Sequence, residues 1–154
     1  MNKWILGARP RTLPAAIAPV VVAVAIAYPT FNFINAILAL IVGLALQIAV
    51  NYANDYSDGV KGTDAERVGP TRLVASGLAS AAEVKQAAIT AFGIGGVAGL
   101  YLSIRTSYWL IAIGAAAIIA AWRYTGGKNP YGYRGLGEVY VFIFFGLVAT
   151  IGTY

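Results

Sequence analysis

The chain has 154 residues, 59% of them hydrophobic and only 11% charged, whereas a soluble domain carries about 25% charged residues. It contains neither cysteine nor histidine, which excludes disulfide frameworks, cysteine nucleophiles, His-liganded zinc and any Ser-His-Asp triad. Its net charge of +5 comes from basic residues clustered between apolar runs, the pattern of membrane-protein loops rather than of a nucleic-acid-binding face.

The expected fold is all-α: a polytopic membrane helical bundle with about five transmembrane helices, making a single domain over residues 1–154. The first apolar segment, 13–28 (LPAAIAPVVVAVAIAY), follows Lys3, Arg9 and Arg11. Arginines before an apolar run also suit a signal peptide. Pro14 and Pro19 interrupt this one, however, and no small-residue cleavage site precedes a soluble domain. The second segment, 33–53, is almost free of charge and runs directly into NYANDYSDGVKGTD at 51–64. The third, 86–104, contains Gly93, Gly95, Gly96 and Gly99; the Gly95-to-Gly99 spacing suits close helix packing. The fourth is 107–122 and the fifth 139–154. A spanning helix needs about 20 residues. The second and third segments meet this, while the first and fourth need tilt or snorkelling flanks. The fifth stops at Tyr154 without a polar flank, the pattern expected of a longer protein cut at a helix end.

Positive charges orient the bundle. Lys3, Arg9 and Arg11 precede the first span. Lys61, Arg67, Arg72 and Lys85 separate the second from the third. Arg123, Lys128 and Arg134 separate the fourth from the fifth, leaving only Arg105 for the opposite side. The N-terminus and the loops 54–85 and 123–138 are therefore expected at the cytoplasmic face of a multi-pass plasma-membrane protein. All the acidic residues, Asp55, Asp58, Asp64, Glu66, Glu83 and Glu138, fall on that same side.

Three aspartates within ten positions need a counterpart. Asn51, Asp55 and Asp58 are spaced by four and three, which places them on one helical face. Asn54 stands beside them, and Asp64 returns after the GVKG turn. Grouped carboxylates repel and raise one another's pKa, which a divalent cation relieves. An oxygen-only donor set favours Mg²⁺ or Mn²⁺, and Mg²⁺ completes its shell with water and substrate phosphate. Lys61, Arg67 and Arg72 follow in the same loop, as a phosphate or diphosphate requires. The plainer alternative is a solvated loop flank with Asp58 or Asn54 capping a turn. Against it, Asn51 and Asp55 sit at the end of an apolar helix, where polar side chains carry a functional presumption.

In the second loop, Tyr124, Tyr131, Tyr133 and Arg134 lie beside Glu138 and are candidates for a cap over an aromatic substrate. Interfacial tyrosines also occur without such a role. Arg9 and Arg11 are candidates for holding a substrate carboxylate, or plain positive-inside anchors. TGGKNPYGYRGLG is glycine-rich but lacks the strand-turn-helix setting of a nucleotide loop.

NDYSDGVKGTD, followed by RVGPTRLVASG, resembles the first aspartate-rich motif of the UbiA superfamily of intramembrane aromatic prenyltransferases. ARPRTLPAAIAPV at 8–20 and YTGG…GLGE within 124–138 resemble its menaquinone-biosynthetic subfamily, which prenylates 1,4-dihydroxy-2-naphthoate. The resemblance covers nearly the whole chain. It implies the N-terminal part of a nine-helix bundle and Mg²⁺-dependent transfer of a polyprenyl group from its diphosphate to an aromatic acid, giving demethylmenaquinol. It assigns Asp55 and Asp58 to the metal, and these two with Lys61 to catalysis. Asn51, Asn54, Asp64, Arg67 and Arg72 fall on the diphosphate-binding positions. The superfamily's second aspartate-rich motif has no counterpart in this sequence, so the piece is expected to be inactive alone. Two readings stay open beside this one. The first is a prenyltransferase of the same superfamily with hydroxybenzoate or homogentisate as acceptor. The second is a non-enzymatic transport subunit using Asp55 and Asp58 as a cation site. The expected partners are polyprenyl diphosphate, an aromatic acid and the lipid bilayer, with no nucleic acid.

Overall fold

The computed structural model describes residues 2–63 and 70–154, and every element among them is helical. Helix α1 (Lys3–Ala8) ends at Arg9, whose φ of 53° is a left-handed conformation uncommon for a side chain with a Cβ. A short 3₁₀ turn, Pro10–Thr12, leads into α2 (Pro14–Ala27). The two parts are bent by 48° and together are long and apolar enough for one membrane crossing. Helices α3 (Phe33–Lys61) and α4 (Ala81–Arg105) each satisfy that test alone. At about 1.5 Å per residue, both exceed the ~30 Å hydrocarbon core. Two shorter apolar helices follow, α5 (Trp109–Arg123) and α6 (Gly137–Thr153), the latter widened into a π-helical stretch over Phe142–Val148.

Local chemistry sets the helix ends. Asn32 caps α3, its side chain accepting from the Asn35 N–H at 3.0 Å. Gly62, at φ 73°, closes it by returning its N–H to Asp58 and Gly59. Ser80 and Glu83 form a reciprocal capping box on α4. Helix α3 runs past the second apolar segment (33–53) to Lys61, in keeping with the helical face expected for Asn51, Asp55 and Asp58. Asp55 and Asp58 are helical and buried, which sets aside the alternative of a solvated loop flank.

The α3–α4 pair forms the most extensive interface. Gly95 lets α4 approach closely: a Cβ there would lie 3.2 Å from Leu46 Cδ2 and 3.4 Å from Ala45 Cβ. Gly99 faces Val42 in the same seam, whereas Gly93 and Gly96 face open space. The core is built from small residues and a few large ones: Ala49, Ala53, Ala88 and Ala91 with Tyr52, Leu73, Val84 and Phe92. It sits at the polar end of α3. Along the apolar end the large side chains, such as Ile34, Ile37, Ile94 and Val97, point outward. Burial is thus inverted relative to a water-soluble protein, with carboxylates inside and aliphatics outside, as a lipid surround favours.

Candidate functional site

Five polar side chains of α3 share one stripe. At 100° per residue, Gln47, Asn51, Asn54, Asp55 and Asp58 fall within an arc of about 100°. Ordinarily Asn, Asp and Ser compete with a helix by bonding their own backbone. Here most of these side chains are engaged by other segments.

Asp55 is fully buried. Its Oδ2 accepts from Leu73 N at 2.8 Å and its Oδ1 from Val74 N at 3.1 Å. This carboxylate thereby fixes the turn that carries Arg72. Leu73 is equally buried, and it packs so tightly that a Cβ on Gly7 would lie 2.7 Å from its Cδ1. Asp58, one turn above, is 3% exposed and meets Arg72 Nη2 at 3.4 Å. The Tyr133 hydroxyl donates to the other Asp58 oxygen. Arg72 is itself buried, at 8% exposure. The Asp58 carboxylate is thus paired with a buried guanidinium and the Asp55 carboxylate held by backbone N–H groups, in an interior where charge is costly unless paired and hydrogen-bonded.

The second loop is tied to the same face. Thr125 Oγ1 donates to Asn54 Oδ1 at 2.8 Å, and Lys61 Nζ donates to the Thr125 carbonyl at 2.6 Å. The Lys61 ammonium also stands 5.1 Å from the centre of the Tyr133 ring, within cation–π range. On the opposite flank, Asn51 Nδ2 donates to Ala8 O and to Thr12 Oγ1, both at 2.9 Å. Gln47 Nε2 donates to the same hydroxyl at 3.1 Å. Tyr52 donates to Trp4 O at 2.6 Å. The end of α3 is therefore gripped by three separated segments: the N-terminal turn, residues 72–74 and residues 125–133.

Beneath Asn54 lies a cavity of about 350 Å³, walled mainly by Val, Leu, Ala and Phe of α2, α3, α5 and α6. That volume is within the range of small-molecule sites. Gln47, Asn51 and Asn54 of α3 supply polar groups to its lining, which Tyr124, Tyr131, Tyr140 and Phe144 share. The rings form a ladder: Tyr124 meets Tyr131 edge-on at 5.4 Å, and Tyr131 stacks on Tyr140 at 3.8 Å. Burial, then the neighbouring Tyr140 and Tyr124, push the Tyr131 phenol up to about 12, so it keeps its proton at physiological pH. Gly132 is required here, because a Cβ would sit 2.6 Å from the Tyr124 carbonyl oxygen.

Of the residues singled out from the sequence, Asn51, Asn54, Asp55, Asp58, Lys61 and Arg72 converge on one end of α3. Tyr124 and Tyr131 line the cavity below. Arg134 is exposed and is not among the cavity-lining residues. Asp64 and Arg67 lie outside the described residues. Sequence reasoning passed over Thr125, Thr12 and Gln47. The signals were present: Thr125 sits inside the YTGG stretch, Thr12 inside ARPRT, and Gln47 is a lone amide in an apolar run one turn below Asn51.

The donor set suits a hard cation. It consists of carboxylate and amide oxygens, of which Asp55 is fully buried and already holds the Leu73 and Val74 N–H groups. Among the described residues no three acidic side chains gather into a metal-binding group. Mg²⁺ does not need three, because water and phosphate oxygens fill most of its shell.

Residues 16–154 match the UbiA prenyltransferase family. The chain is 56% identical over 153 residues to the 1,4-dihydroxy-2-naphthoate octaprenyltransferase of Mycobacterium tuberculosis (strain ATCC 25618 / H37Rv), covering 98% of the chain and 52% of that relative. It is 39% identical over 160 residues to the protein of that name in Escherichia coli (strain K12), again covering 98% and 52%. For Bacillus subtilis (strain 168) the figures are 32% over 146 residues, 93% and 47%. The chain thus spans about half the length of the curated relatives it matches. No solved structure matches it.

Proposed function

Because the chain belongs to the UbiA prenyltransferase family, we propose that it forms the donor-activating part of an enzyme that transfers a polyprenyl group to 1,4-dihydroxy-2-naphthoate. The observation that carries this reading is the stacking of a buried charged cluster on an apolar cavity along one stripe of α3. Buried Asp55, Asp58 and Arg72 form the cluster, with exposed Lys61 at its edge, and the cavity begins at Asn54. A molecule with a highly charged head and a hydrocarbon tail matches that arrangement. Asp64 and Arg67, from the same loop, complete the set proposed for the diphosphate head.

Asp55 and Asp58 would hold Mg²⁺, with Asn51 and Asn54 as neighbouring oxygen donors. When bound, the ion neutralises the leaving diphosphate. Arg72 and Lys61 share the developing negative charge, Arg72 through its planar fork. The allylic C–O bond breaks with its electron pair leaving on the diphosphate. The ring carbon bearing the acceptor's carboxylate forms the new C–C bond. That carboxylate departs as CO₂, and its bonding pair restores the aromatic ring, so no external base or oxidant is required. Tyr124 and Tyr131 border the space for the acceptor, with Arg134 as an outer positive charge. The prenyl tail runs past the Val, Leu, Ala and Phe side chains of the cavity lining and out into lipid, leaving the polar groups of Gln47, Asn51 and Asn54 to the acceptor. The charged end then faces the cytoplasm of a multi-pass plasma-membrane protein, in keeping with the distribution of Lys and Arg.

The test is turnover by the full-length protein, supplied with polyprenyl diphosphate, 1,4-dihydroxy-2-naphthoate and Mg²⁺. Release of CO₂ and a prenylated naphthoquinol by mass spectrometry are expected. Turnover with hydroxybenzoate or homogentisate alone would reassign the acceptor.

A further inference from the structure

We propose that Gln47 is an acceptor-binding residue: its side-chain amide hydrogen-bonds a ring hydroxyl of the aromatic acceptor. The inference rests on the reading above and goes further by naming the group that recognises the acceptor's polar edge.

Gln47 lies in the apolar body of α3, where the sequence from Ile37 to Val50 offers no other polar side chain apart from backbone groups. Polar side chains at such depth are costly and mark functional positions. It lines the cavity and sits one turn, about 6 Å, below Asn51. Its bond to Thr12 Oγ1 uses one of two amide N–H groups. The second N–H and the carbonyl oxygen add further hydrogen-bonding capacity.

The two candidate occupants make opposite demands on this wall. A polyprenyl tail forms no hydrogen bonds, and laying it against an amide would leave polar groups unsatisfied. A flat aromatic ring with hydroxyls on its edge asks for polar groups on one side and ring or aliphatic surface on the other. The cavity supplies both: the amides of Gln47, Asn51 and Asn54 come from α3, and the rings of Tyr124, Tyr131, Tyr140 and Phe144 from the chain beyond α5. The bond to Thr12 holds the Gln47 side chain in place, so little rotamer freedom is lost when a ligand binds.

The experiment uses the full-length protein with Gln47→Met, a near-isosteric apolar replacement, and Gln47→Leu as a second variant against a folding artefact. Three constants are measured: KM for 1,4-dihydroxy-2-naphthoate, KM for polyprenyl diphosphate, and the inhibition constant of 2-naphthoate, which lacks both hydroxyls. The expected result is an acceptor KM raised about tenfold, as for one lost hydrogen bond, with the other two constants within about twofold of wild type. Thr12→Val, which breaks the tether without removing the amide, is expected to raise the ratio of acceptor KM to 2-naphthoate inhibition constant by less than either Gln47 variant does. The inference is overturned if the acceptor KM does not move, if all three constants move together, or if Thr12→Val reproduces the Gln47 variants. Failure of the wild-type protein to use dihydroxynaphthoate at all would instead overturn the functional reading on which it rests.

Discussion

Asp58 and Arg72 face each other at 3.4 Å with side chains only 4% and 9% exposed. Each comes from a different segment, Asp58 from α3 and Arg72 from the turn that Asp55 anchors. A pair this deep is sensitive to loss of one partner, because the remaining charge stays buried. Arg72→Met is therefore expected to cost about 3–5 kcal/mol of stability. Denaturant unfolding of the full-length protein in detergent measures this directly. Arg72→Lys keeps the charge but loses the planar fork, so it should restore stability better than it restores turnover.

Asp55 has two tasks in this account, and Asp55→Asn separates them. An amide can accept only one of the two backbone N–H groups of residues 73 and 74, and its NH₂ opposes the other. Losing one hydrogen bond to a charged acceptor costs about 1.5–3 kcal/mol. The substitution should also lower the apparent affinity for Mg²⁺ in the turnover assay by at least about tenfold. Loss of stability with unchanged metal dependence would leave Asp55 as a clamp for the 72–74 turn and nothing more.

Gly59 sits where the Arg72 turn crosses α3. A Cβ there would lie 2.5 Å from Val74 Cγ1 and 2.6 Å from its Cβ. Gly59→Ala is expected to destabilise the protein by about 1–3 kcal/mol and to displace Arg72. Gly114, in the middle of α5, faces open space. Gly114→Ala should therefore be neutral or stabilising by up to about 1 kcal/mol. Thermal unfolding of the two variants side by side tests the packing.

The Tyr131 phenol, raised to about 12 by burial and by its two tyrosine neighbours, gives a pH dependence of definite sign. The folded state holds its proton more tightly than the unfolded chain, whose tyrosine titrates near 10. Its contribution is fully present below pH ~10 and is lost as pH rises toward ~12. Wild type and Tyr131→Phe should show parallel stability profiles below pH ~10, with wild type falling more steeply above it. Parallel profiles throughout would contradict this environment for Tyr131.

Much of the site could be read from spacing. The four- and three-residue steps from Asn51 to Asp55 to Asp58 put these side chains on one face, and α3 realises that face. The length of α3 was less legible. The stretch from Asn51 to Gly62 is rich in residues that favour turns, because Asn, Asp and Ser bond their own backbone. That competition is removed by distant partners: Ala8 and Thr12 take Asn51, Thr125 takes Asn54, and Leu73 and Val74 take Asp55. A helix held by contacts 18 to 71 residues away cannot be bounded from local propensity. The charge of Lys61 points to a diphosphate contact, but only the folded chain brings it to the Thr125 carbonyl.

The central claim is that the Asp55–Asp58 end of α3 receives a metal-bridged prenyl diphosphate. The direct measurement is calorimetric titration of the full-length protein with farnesyl thiodiphosphate, a slowly reacting donor analogue, with Mg²⁺ or with a chelator. Binding that requires Mg²⁺, and that weakens at least about tenfold in Asp58→Asn, is the predicted result. Equal affinity with and without the metal, or in wild type and Asp58→Asn, would contradict it.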